Sequence, residues 1–102
     1  MIAEMIIDTE EFLSVLKRLK PRKTTKASLA EELYIALFNG EAIFCARGIQ
    51  TRCLVEKAIN WRGYIEVNSG VVLSFLAAPP AGPNIKLSVR DDVFQIENIK
   101  VP

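Results

Sequence analysis

The chain reads as an α+β protein in which one strand–helix–strands unit occurs twice, with two helices packed on antiparallel sheets. Three observations point there. A short apolar run at residues 1–7 passes through Asp8-Thr9 into an amphipathic stretch, and alternating segments follow. A second run at residues 61–67 passes through Asn68-Ser69 into another helix-like stretch, and alternating segments follow again. Turn pairs, Asn39-Gly40 and Asp91-Asp92, separate those alternating segments. The order divides the 102 residues into units of about 1–60 and 61–102 within a single domain, enough chain for one core and too little for two.

Each element has a local reason. Residues 1–7 are apolar and β-branched enough for an opening strand. Asp8 or Thr9 is a good helix N-cap, with Glu11 in capping-box register to Asp8. Phe12, Val15, Leu16 and Leu19 recur at helical spacing and form one buried stripe over a helix of about residues 9–20. Glu10 and Glu11 suit the positive end of its dipole, Lys17, Arg18 and Lys20 the negative end, and Pro21 stops it. Residues 21–30 form a polar, basic connector. Residues 31–39 then alternate, with Leu33, Ile35 and Leu37 on one face and Tyr34, Ala36 and Phe38 on the other. Asn39-Gly40 predicts a type I′ hairpin turn, residues 42–47 the returning strand, and residues 51–59 a third strand after Gly48.

The second unit opens with a strand at residues 61–67. Asn68 or Ser69 caps a short helix over residues 71–78, closed by Pro79-Pro80. Ile85, Leu87 and Val89 alternate with Lys86, Ser88 and Arg90 in a half-buried strand. Asp91-Asp92 turns the chain, and residues 93–101 close the sheet with Phe94, Ile96 and Ile99 inside.

Composition narrows the chemistry. A hydrophobic half and a charged quarter are globular values, and the net charge of +1 gives no whole-molecule attraction to nucleic acid or anionic membrane. No apolar run approaches the ~20 residues of a membrane span, and no secretory leader pattern is present, so a cytoplasmic protein is expected. Cys45 and Cys53 flank the turn at Gly48; a cross-strand disulfide is conceivable, but both are expected as reduced, buried thiols. Without histidine they cannot complete a four-ligand zinc site, and no metal or cofactor is expected. An enzyme is not expected either: the commonest acid–base is missing, Asp91-Asp92 is a turn pair, and the glycines are scattered as turn residues.

The run Gly63-Tyr64-Ile65-Glu66-Val67, the short helix Leu73-Ser74-Phe75-Leu76, Pro79-Pro80, Ile85-Lys86-Leu87-Ser88-Val89 and Phe94-Gln95-Ile96 resemble, element for element, one domain of the DNA sliding clamps. In the first half, Phe12-Leu13 with Leu16 and Leu19, and Leu33-Tyr34-Ile35 ahead of Asn39-Gly40, fit the same pattern, closest to the bacterial DNA polymerase III beta subunit. The resemblance implies a clamp-like domain acting in DNA replication and processivity. In that family six such domains close edge to edge into a ring whose inner helices face duplex DNA. Clamp chains carry two or three domains, so this chain would need about six copies to close such a ring. It further implies a homo-oligomer built through sheet edges, and a polymerase-type or clamp-type protein partner docking in an apolar groove. Tyr64 and residues 77–83 are candidate rims for that groove.

The residues themselves offer one candidate site. Lys17, Arg18, Lys20, Arg22, Lys23 and Lys26 fall within ten positions that hold no acid. With the apolar stripe buried, Lys17 and Arg18 face outwards, where they could neutralise phosphates of duplex DNA. The plainer alternative is a solvated helix end with dipole-matched charges. The second helix bears no lysine or arginine, which favours instead a protein-interaction scaffold that uses the fold without touching DNA.

Overall fold

The computed structural model describes residues 2–20 and 32–101. Its elements run β1 (Ile2–Asp8), α1 (Thr9–Leu19), β2 (Glu32–Phe38), β3 (Glu41–Ala46), β4 (Ile49–Ile59), β5 (Tyr64–Asn68), α2 (Ser69–Leu73) continued by a 3₁₀ turn (Ser74–Leu76), β6 (Asn84–Arg90), β7 (Val93–Ile96) and β8 (Ile99–Val101). All strand pairings are antiparallel, in the order β5-β2-β3-β4-β1-β6-β7-β8.

The 11-residue β4 makes this one sheet rather than two. Its first part, residues 49–54, pairs with β3, while residues 55–59 turn to β1. The register slips between Ile6 and Ile7, so Glu56 is left over as a bulge at the corner. β1 lies between β4 and β6, and its Met5 and Ile7 are fully buried.

The predicted stripe of α1 is the centre of the core: Phe12, Val15 and Leu16 are 0% exposed and Leu19 1%. Phe12 meets Phe44 of β3 edge-on at 6.2 Å and Phe75 of the 3₁₀ turn at 6.4 Å, so one ring joins both halves of the chain. Thr9 ties the same halves through polar bonds. Its backbone N–H donates to the Pro83 carbonyl and its hydroxyl to the Gly82 carbonyl, each at 2.9 Å. Asp8 is the N-cap, accepting from the Glu11 N–H at 3.1 Å. At the other end Lys20, which precedes Pro21, is already extended, and the Arg47 guanidinium donates to the Leu19 carbonyl. Asn68 caps α2 by accepting from the N–H groups of Gly70 and Val71.

Hairpins fall where the turn residues demand them. Asn39-Gly40 and Asp91-Asp92 hold φ of 51° and 78°, and 50° and 64°, as a type I′ turn requires. Arg47-Gly48 adopts the same conformation, at 50° and 76°.

Several expectations need correction. The strand expected at residues 61–67 starts only at Tyr64, because Gly63 takes a positive φ of 66° and Trp61 packs on the core from the preceding bend. The helix expected over residues 71–78 is a five-residue α-helix and a 3₁₀ turn, with Ala77 and Ala78 exposed. The closing strand is two strands broken at Glu97, whose φ is 55°. That turn puts Ile99 outside, 50% exposed, and Val101 inside at 5%. Cys53 is buried as expected, but Cys45 points to the opposite face and is half-buried, and both thiols are free.

Truncating Phe12 to Ala removes packing against both halves at once and is expected to cost about 3–5 kcal/mol in urea denaturation. Exposed Phe38, 63% accessible, should tolerate the same change within about 0.5 kcal/mol.

Candidate functional site

The outward face of α1 is charged in two zones. Glu10 and Glu11 lie exposed in the first turn; Lys17 and Arg18 lie exposed in the last, with Lys20 just beyond. Arg18 is held only loosely, its Nε and terminal nitrogen each 3.4 Å from the Ser14 carbonyl and hydroxyl. Of the six basic residues marked in the sequence, Lys17, Arg18 and Lys20 therefore share one solvent-facing helix end. Arg22, Lys23 and Lys26 lie outside the described residues.

Beside that end runs the first part of β4, whose far edge carries no strand partner among the described residues. A shallow groove of about 470 Å³ opens between Arg18 and residues 49–52 of β4. Arg52 adds a second guanidinium to it, 3.7 Å from Glu41 in an exposed and weak ion pair. Thr51 is 6% exposed, and its hydroxyl meets no hydrogen-bond partner among the described residues. Arg52 alternates with buried Thr51 and Cys53 and so stands on the outer face of β4, and nothing in the local pattern tells that residues 49–52 lie next to Arg18 at the end of α1. Only the sheet order supplies it.

α2 contrasts with α1. Val72, Leu73 and Phe75 are buried, while exposed Ser74, Ala77 and Ala78 carry no charge. The candidate rim residues of an apolar groove, Tyr64 and residues 77–83, are largely exposed, and Tyr64 belongs to another cluster. Tyr34 and Tyr64 stack obliquely at 5.7 Å on the outer face of β2 and β5, next to Glu32 and Glu66. The Tyr34 hydroxyl donates to Glu32 at 3.2 Å; that bond, then the Glu66 charge, raises its pKa. Desolvation first, then the neighbouring Glu32, raises the pKa of Glu66. A raised carboxylate pKa means ionisation works against the folded state, so this small contribution is present at acid pH and lost as pH rises through the folded value.

No group of three or more metal-ligating side chains exists among the described residues, and no described helix is long and apolar enough to cross a membrane. Burial, followed by the charge of Glu11 and opposed by Arg18, pushes the Cys53 thiol up to about 12. It is no nucleophile at neutral pH.

No family model and no curated protein matches the chain. Solved structures do. A C. crescentus beta sliding clamp matches with a TM-score of 0.72 and 16% identity, covering 100% of this chain and 30% of that one. The beta subunit of DNA polymerase III from Thermotoga maritima matches with a TM-score of 0.59 and 18% identity, covering 97% of this chain and 29% of that one. The chain thus has the fold of a single clamp-like domain, and spans under a third of the length of the clamp chains it matches.

At pH 8 a thiol of pKa about 12 is about one part in ten thousand thiolate. Iodoacetamide should therefore alkylate Cys45 well before Cys53 in the native protein, and both equally in urea. Equal native rates would contradict the burial of Cys53.

Proposed function

We propose that the chain is a non-catalytic, sliding-clamp-like module whose two units, about residues 1–60 and 61–102, act as one domain. It self-associates through its sheet edges and contacts duplex DNA through the basic end of α1. The observation that supports this reading is the likeness of the whole chain to under a third of a beta clamp, combined with an exposed cationic helix end beside a strand edge that is unpaired among the described residues. Lys17, Arg18 and Lys20 are the phosphate-contacting residues, together with Arg22, Lys23 and Lys26 of the connector. Such contacts give affinity without sequence preference, as a protein that slides requires.

Self-association follows from the sheet. Among the described residues, positions 49–54 of β4 present backbone donors and acceptors on one side within the sheet, and the outer edge of β8 presents them at one of its ends. Two different edges join head to tail, and head-to-tail contacts close into rings when the rotation permits. About six copies would then supply the six domains of a clamp ring. DNA replication, processivity and a cytoplasmic setting belong to this reading, as does a polymerase-type or clamp-type partner.

A second reading is supported by α2, whose exposed residues carry no charge. Here the domain is a protein-interaction scaffold that never meets DNA.

Reversing Lys17, Arg18 and Lys20 to Glu separates the two. Fluorescence anisotropy with a labelled duplex should show binding by the parent protein and at least about tenfold weaker binding by the triple variant. The slope of log K against log salt should shrink by about 0.9 for each phosphate that is no longer neutralised. Unchanged binding, or no binding by the parent, removes DNA from the account.

A further inference from the structure

β5 ends the sheet. Its five residues pair with β2 on one side, and no described strand pairs with the other. Alternate backbone N–H and C=O groups along that edge are directed away from the sheet, a template for one more strand. The two sides of the edge differ in chemistry. Towards the core, Ile65 and Val67 border a groove of about 240 Å³ closed by Val89, Phe94 and Val101. Towards solvent stand Tyr64, 63% exposed, and Glu66, backed by Tyr34 and Glu32 across the β2 pairing. Asp92 adds a further carboxylate at the groove's rim.

A strand laid on this edge would send successive side chains to opposite sides. One set would enter the groove, against Ile65, Val67, Val89, Phe94 and Val101, with the carboxylates of Glu66 and Asp92 also among its lining residues. The other would reach two carboxylates and the faces of two tyrosines, a setting that attracts a cation through charge and ring quadrupole together. We propose that the free edge of β5 docks an extended segment of a partner protein in which apolar residues alternate with arginine or lysine. Backbone pairing gives the affinity and the alternation gives the selection, as in other strand-addition complexes.

The crowding of Glu32 and Glu66 supports the charge side of the match. Desolvation, and after it the charge of Glu32, already raises the pKa of Glu66, and a guanidinium set between the two carboxylates would act in the opposite direction. This inference does not rest on the clamp reading: it requires neither DNA contact nor a ring, and uses no residue of the α1 basic end.

The test uses the intact protein and a labelled synthetic peptide of about eight residues alternating valine and arginine, a length typical of a strand. Binding is read by anisotropy, and its location by amide shifts in an NMR titration. Binding with shifts along residues 64–68 is expected. Glu32→Lys with Glu66→Lys should weaken it at least about tenfold. Tyr64→Ala, at an exposed position, should weaken it in the same direction and guards against misfolding of the charge-reversed variant. Any of three results overturns the proposal: equal binding of a valine–glutamate peptide, equal binding of the arginine peptide with alternate amides N-methylated, or no binding. Shifts confined to β4 would also overturn it, as would peptide binding that dissociates a self-associated form. The last result would assign the β5 groove to a second copy of the chain.

Discussion

The seat of α1 is the constraint on which the rest depends. The sheet continues from one half to the other through β1, and the apolar stripe of α1 is buried in the core it shares with both halves. Phe12 packs against both Phe44 and Phe75, and Thr9 fixes the helix start to the carbonyls of Gly82 and Pro83. Those interactions set the rotation of the helix about its axis. With the Phe12 stripe turned inward, Lys17 and Arg18 have nowhere to go but outward. The packing of the core thereby decides where the positive charge of the surface is displayed.

The same seat decides what happens at the sheet's ends. β4 is long enough to serve two neighbours in succession, pairing β3 and then β1, so each part of it has one edge without a strand partner among the described residues. β5 and β8 stand at the two ends of the sheet, each with one edge unpaired among the described residues. Exposed edges are a hazard for a monomer and a resource for an assembling or partner-binding protein. The chemistry along them is not uniform. Arg18 and Arg52 flank the first part of β4, whereas Glu66 and Asp92 flank the groove beside β5, so the edges differ in charge as well as in shape.

Much of this architecture was legible in the residues. The 3.6-residue spacing of Phe12, Val15, Leu16 and Leu19 gave the helix and its buried face, and Asn39-Gly40 gave a hairpin, because both are local signals. What the sequence concealed was set by tertiary context. Residues 93–101 alternate like one strand, and nothing in them announces the positive φ of Glu97 that turns Ile99 outward. Residues 77–78 look helical by composition, yet the chain tightens into a 3₁₀ turn as it approaches Pro79. Cys45 and Cys53 both looked like core thiols. Their separation onto opposite faces depends on the strand register, which places Cys45 opposite Gln50 and Cys53 opposite Ala42. Of the candidate site, the outward basic helix end was readable, while its proximity to Arg52 and to an open edge required the order of the strands.

The proposed head-to-tail joining of this clamp-like domain, through unlike edges unpaired among the described residues, is tested most directly by the solution mass. Size-exclusion chromatography with light scattering over a wide concentration range is predicted to show association that rises with concentration towards about six copies, the number that closes a ring of single domains. A mass fixed at that of one 11.4 kDa chain at every concentration would contradict the account.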